Sequence, residues 1–316
     1  MLLSNRQVIG VKTETTQNTP ATLAATDYFL AEDVSPDIDV EKLKRDYKRS
    51  SLDTLTSGRG KAKATLKIRT ELKGGGAAGT AYAPLDALFL ACGMSETVVG
   101  STSVTLAPVS APASTSFFSL GKSCTIEYYN DGMKYVFAGC VGSAKIIAVA
   151  GNIVMVEFTM TGLYPTVTDA GFPGSITYLS QAPSAWVSST ILVQAYAAIV
   201  DKWEIDFGCS ITPRDDAASA NSTKGIVVTA REPVGSISLE GEKIAIHDFF
   251  LKMKSGTEAS ASFTVGGTAG NIITITLPKT QYDKVNLGNK NGLRMFDIPV
   301  QYNQNSGDDW ISIAFT

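Results

Sequence analysis

Between residues 124 and 162, apolar and polar positions fall into three short runs rich in β-branched and aromatic side chains, at 124–129, 134–137 and 153–160. Asn130-Asp131-Gly132 and Ala150-Gly151-Asn152 interrupt this stretch. Gly and Asn accept positive φ cheaply, as turns require, so the pattern predicts strands joined by hairpins. Residues 65–72 alternate, with Leu66, Ile68 and Thr70 on one face and Lys67, Arg69 and Glu71 on the other, as in a half-buried antiparallel strand. Residues 83–93 predict a short helix: Pro84 suits its first turn, Leu85, Leu88, Phe89 and Cys92 share a stripe, and Gly93 stops it. Further short strands are predicted at 27–30, 37–40, 103–106, 204–207, 236–239, 260–265, 272–277, 293–302 and 310–315. A second short helix is predicted at 246–254, stopped by Ser255-Gly256. Residues 1–26 read as an extended arm ordered by contact with something else, and the Ser-, Thr- and Pro-rich 95–120 as an extended insertion.

The pattern recurs. A shift of 138 lays CTIEYYNDG, from Cys124, over SFTVGGTAG, from Ser262, and KYVF over IITI. After a slip of two, 153–162 lies over 293–302, Met155 meeting Met295 and Glu157 meeting Asp297. EIDF at 204–207 matches DIDV at 37–40, SISL at 236–239 matches the strand around Leu66–Ile68, and Asp86 and Asp248 fall at corresponding helix positions. Both halves read strands, long polar loop, strand, helix, strands. The expectation is a mainly β chain duplicated in tandem, 1–182 with the arm and the 95–120 insertion and 183–316, divided within the proline-containing turns of 163–185.

Composition permits this. With 44% hydrophobic and 18% charged residues the chain can bury a full core. A net charge of −3 argues against a basic nucleic-acid binder. Cys92, Cys124, Cys140 and Cys209 lack paired spacing and read as reduced, buried thiols. No signal-peptide pattern opens the chain and no apolar run reaches the length of a membrane span. The single histidine, His247, has no nucleophile frame to serve and reads as a packed or half-exposed helix residue. Tyr128, Tyr129, Tyr135, Phe137 and Phe158 lie at strand spacing without interleaved bases, so they read as packing rather than base stacking. No catalytic, metal or cofactor site is expected, and the chain reads as a building block that meets copies of itself.

Charge is concentrated in 41–63, a polar segment holding Lys44, Arg45, Lys48, Arg49, Arg59 and Lys61. Its counterpart in the second half is a polar loop at 209–224 holding Arg214, Asp215 and Asp216. A segment this polar is either solvated surface or a loop that docks on an acidic partner or on nucleic acid.

Three stretches together resemble the tail tube proteins of long-tailed (siphovirus-type) bacteriophages. They are DYFLAEDVSPDIDV from Asp27, PLDALFLACGM from Pro84, and the closing run from Gly270 to Thr316. The resemblance implies an antiparallel β-sandwich or half-barrel with one short flanking helix. It implies subunits that pair sheets sideways into rings, with rings stacked into a hollow tube around a tape-measure protein. Tail terminator and tail tip proteins would cap the tube, and viral DNA would pass through the lumen without specific binding. The 41–63 loop would bridge to the next ring, meeting acids such as Asp215-Asp216 or Asp308-Asp309. A single-domain member forms hexamers; a tandem chain implies trimeric, pseudo-hexameric rings. Assembly would take place in the host cytoplasm, with no membrane partner. Two other readings share much of this pattern: the inner tube of a contractile injection machine, and a β-rich virion decoration protein or adhesin.

Overall fold

The computed structural model describes residues 3–110, 122–219 and 221–316. One long antiparallel sheet runs through it. Its strands lie in the spatial order Ala31–Leu43, Gly58–Glu71, Met155–Leu163, Met133–Val149, Val200–Asp206, Val234–Glu240 and Leu293–Asn303. Leu293–Asn303 then pairs with Ile273–Tyr282 and with Asn286–Lys290.

A second layer grows from the two strands that serve both. The first half of Met133–Val149 pairs with Cys124–Asn130 and, on its other side, with Thr166–Asp169. Cys124–Asn130 pairs in turn with Gln7–Thr13, which also meets Tyr28–Phe29. The change of sheet falls beside Gly139, whose φ of +64° an L side chain rarely adopts. In the second half, Ile273–Tyr282 pairs with Glu258–Val265, and that strand with Ile191–Val193. Its other side takes Ser312–Phe315, followed by Ser103–Pro108 and Met94–Val99.

The pleat sends one side of each strand inward. In Gly58–Glu71, Ala62, Ala64, Leu66, Ile68 and Thr70 are buried while Lys61, Lys63 and Lys67 are exposed, because successive side chains of a strand alternate between faces. Neighbouring strands add Phe158, Ile146, Trp203, Ile237 and Ile298 to the same buried layer. Each such side chain contributes about 1.5–3 kcal/mol of burial. Gly142 sits where a Cβ would collide with Met160 and the Thr159 carbonyl, so close approach of two strands requires it.

Helix α1, Ala83–Ala91, is enclosed rather than laid on the surface. Pro84 to Phe89 and Ala91 are all buried, which corrects the single apolar stripe expected from sequence; a helix apolar all round belongs inside a core. Phe89 meets Phe158 at 5.1 Å and Phe207 at 5.9 Å, and Phe207 meets Trp310 at 5.1 Å. One continuous hydrophobic cluster thereby joins both halves. Helix α2, Phe249–Ser255, is capped by Asp248, whose carboxylate accepts from the Leu251 N–H at 2.8 Å, and ends at Gly256 in the left-handed region. Asp86 lies inside α1, so it does not correspond to the capping Asp248.

Four other expectations change. The 1–26 arm contains the strand Gln7–Thr13, ordered by this chain's own sheet. Its end is fixed by buried Glu14, which accepts from Ser123 Oγ at 2.7 Å, Thr125 Oγ1 at 2.8 Å and the Gly139 N–H at 2.8 Å. The insertion from 95 begins as a hairpin, Met94–Val99 with Ser103–Pro108, whose second strand extends the sheet of the chain's last strand. Its residues 111–120 lie outside the described residues. The run at 134–137 is part of the much longer Met133–Val149. The polar loop at 209–224 is a twisted hairpin, Cys209–Asp215 with Thr223–Arg231. It packs Ile226 and Val228 on Val141, after a sharp turn at Gly208, whose φ is +59°.

Candidate functional site

The long sheet has one buried face and one open face. Register places Asp33, Asp37, Asp39, Glu157, Glu204, Asp206 and Asp297 on the open side, together with Lys63, Lys67, Arg69, Lys145 and Lys202. Acids outnumber bases across it. The charges pair laterally: Arg69 lies 3.0 Å from Glu32 and 3.7 Å from Glu157, and Lys145 lies 2.9 Å from Glu204. Burial alone would push the Glu204 carboxyl up; hydrogen bonds from Lys202 and Lys145 overcome this and hold it below the usual carboxylate range. Such a face is polar, and part of its charge is paired within the chain.

Ala31–Leu43 and Gly58–Glu71 form a long hairpin whose connection, 44–57, carries Lys44, Arg45, Lys48 and Arg49, all exposed. Arg45 lies over the Tyr47 ring at 5.8 Å. Tyr47 and Leu52 are exposed beside them. Arg59 and Lys61, expected in the loop, instead sit on the Gly58–Glu71 strand. The Lys61 ammonium lies 2.6 Å from Asp215 Oδ2, and that hydrogen bond holds its pKa above the usual lysine value. Structure therefore brings Lys61 and Asp215 together within one chain, on adjoining hairpins. Arg214 precedes Asp215 on its strand.

The remaining acids of interest shape turns. Asp216 accepts from the Ala218 N–H at 3.0 Å and Ser219 Oγ at 2.9 Å, which lowers its pKa. Asp308 lies 3.0 Å from Arg231. Asp309 accepts from the Ser306 hydroxyl at 2.7 Å and the Asn305 N–H at 2.8 Å, and these bonds hold its pKa low. His247 is buried, stacked on Tyr196 at 4.9 Å and near Tyr282 Oη at 3.3 Å. Burial pushes its pKa down to about 4, so it packs as a neutral ring.

Sequence reasoning missed the two ends of the long sheet. Ala31–Leu43 pairs only with Gly58–Glu71, and Asn286–Lys290 only with Leu293–Asn303. Each leaves one edge of backbone N–H and C=O groups unpaired among the described residues. Unpaired edges are templates for another strand. Residues 32–39 of the first edge carry Glu32, Asp33, Asp37 and Asp39 and no base, whereas 284–290 of the second carry Lys284 and Lys290 and no acid.

A mainly antiparallel β chain with a filled core, a polar open face, a projecting basic hairpin and two complementary sheet edges defines a structural assembly subunit. The sequence profile described as phage tail tube protein matches residues 4–315. This chain belongs to that family, and its place is the virion tail of a bacteriophage. A comparison with curated proteins found no match.

Proposed function

We propose that the chain is a tandem pair of tube domains, 1–182 and 183–316, and that three chains close a pseudo-sixfold ring. Rings stack into the hollow tube through which the genome is delivered. One observation carries this reading: the same ladder is built twice. Strands Ala31–Leu43, Gly58–Glu71, Met155–Leu163, Met133–Val149, Cys124–Asn130 and Gln7–Thr13 pair in that order. Val200–Asp206, Val234–Glu240, Leu293–Asn303, Ile273–Tyr282, Glu258–Val265 and Ile191–Val193 pair in the same order. Two such units side by side make one third of a closed wall, and closure removes both open edges.

In the ring the open face lines the lumen. Its excess of acids repels phosphate, so DNA slides past without specific binding. The tape-measure protein occupies the lumen beforehand, and terminator and tip proteins close the tube ends. The 44–57 connection reaches the next ring, and subunits assemble in the host cytoplasm. Negative-stain electron microscopy of the purified chain tests this reading. Hollow rings and tubes with three chains per ring are expected; a monodisperse monomer at high concentration would overturn it, and rings of six chains would overturn the tandem ring.

A further inference from the structure

The two halves of the chain treat their first hairpin differently. In the first half, Ala31–Leu43 and Gly58–Glu71 run on as one continuous hairpin, paired from 31/70 to 43/58. In the second half, the strands at the same place in the ladder stop at the pair Asp206/Val234. The chain between them turns away at Gly208, where φ is +59° and a Cβ would collide with the Glu232 carbonyl. It then forms Cys209–Asp215 and Thr223–Arg231, which pair only with each other among the described residues.

This second hairpin is held down by the first half of the chain. Ile226 and Val228 cover Val141, and Val141 and Ile226 are fully buried. Gln17 Nε2 donates to the Ile226 carbonyl at 2.9 Å, and Asn18 Nδ2 to the Lys224 carbonyl at 2.6 Å. The Cys209 N–H donates to Ser143 Oγ at 3.2 Å, and Arg231 donates to the Gly93 carbonyl at 3.2 Å. With the Lys61–Asp215 pair, ties therefore reach the hairpin from 17–18, 61, 93 and 141–143. Lifting it would return Val141, Ile226 and Val228 to water and strip two of its carbonyls of their donors. Its tip lacks the charge that would offset that loss. The projecting 44–57 connection carries Lys44, Arg45, Lys48 and Arg49, whereas 215–222 carries Asp215 and Asp216 and no base.

Resting on the tandem-ring reading, we propose that the 209–231 hairpin stays stowed on its own chain in the assembled tube. The two tube domains divide their labour: the first sends an arm to the next ring, and the second keeps its arm. A ring of three chains reaches its neighbour through three arms, so the joint between rings is threefold where the wall is pseudo-sixfold.

A reversible tie tests this. A Cβ at Gly225 would lie 3.3 Å from the Gln17 amide group. Gln17→Cys with Gly225→Cys therefore places two thiols within reach of a short bismaleimide whose spacer is cleaved by reductant. The tied chain should build tubes of the same yield and length as the untied one, with three connections between successive rings in averaged images. The two single variants control for native Cys209, the one partly exposed thiol. Assembly blocked by the tie and restored by reductant would overturn the proposal, because the hairpin would then have to swing out; six connections would overturn the arm count. If the doubly substituted chain fails to assemble untied or after cleavage, the unaltered protein decides. Carbodiimide joins the Lys61 amine to the Asp215 carboxyl as an amide, the water lost being taken up by the carbodiimide as a urea. In tubes grown from isotopically light and heavy chains, this link should form within single chains at the yield seen in the free chain. A link that disappears in tubes, or that joins light to heavy chains, would overturn the stowed hairpin and leave the tube reading intact. Absence of rings and tubes from the unaltered chain would overturn the ring reading and the arm count with it.

Discussion

Asp86 is a carboxyl placed in an apolar interior. Its Oδ2 has no hydrogen-bond partner, and burial, aided by Glu96, pushes its pKa up to about 8. The folded chain therefore holds a proton that the unfolded chain releases above about pH 4. The sign follows: this contribution is complete below about pH 4 and is lost as pH rises toward 8, at about 1.4 kcal/mol per pH unit. Denaturation midpoints of the unassembled chain should fall across that window, and Asp86→Asn should flatten the slope. Glu14 is the opposite case, a buried carboxylate fully supplied with donors. Glu14→Ala would strand the Ser123 and Thr125 hydroxyls and the Gly139 N–H, and should cost about 3 kcal/mol by urea unfolding. Neither role was legible in the sequence. Asp86 read only as the counterpart of Asp248, because the short helix was expected to bury a single stripe and its enclosure comes from strands distant in sequence. Glu14 lay in a polar stretch with no visible partner, since its donors come from more than a hundred residues away.

At the scale of elements, strands that alternate strongly were legible and strands with polar faces were not. Leu66 and Ile68 announced Gly58–Glu71, and Pro84 and Gly93 bracketed α1 closely. Cys209–Asp215 and Thr223–Arg231 were read as loop because their side chains are mostly polar. Of their apolar side chains only Ile226 and Val228 are buried, and the patch they cover, at Val141, belongs to a distant strand. The same blindness applied to the extent of the 31–71 hairpin, whose outer half pairs acids and bases that resemble solvated loop. In the proposed tube, stacking at this scale rests on the tip. Reversing charge at Lys44, Arg45, Lys48 and Arg49 together should weaken ring stacking by about 10-fold, taking a few tenths of a kcal/mol for each exposed charge. The measurement is tube length by electron microscopy across a salt series; unchanged, salt-insensitive lengths would show that the tip does not bridge rings.

For the whole molecule, the family and the β-rich class were legible from the closing run of strands and Gly-Asn turns. The interlocking of the halves was not. Ser103–Pro108, from the first half, completes the sheet of the last strand, and α1 places Phe89 against Phe207 across the chain. These are pairings between segments about two hundred and one hundred residues apart, which no local pattern encodes. They also mean that a cut at residue 182 would divide a shared core, so the two units are expected to unfold as one cooperative body.

The unequal charge of the two open edges has a kinetic consequence. Two acidic edges repel, so chains do not easily meet head to head. Two lysine-bearing edges repel likewise. Only unlike ends attract, so encounters are directional, and every productive collision leaves one acidic and one basic end. Dead-end dimers that would consume both like edges are suppressed, and in the proposed ring growth by unlike ends finishes when the last acidic edge meets the first basic one.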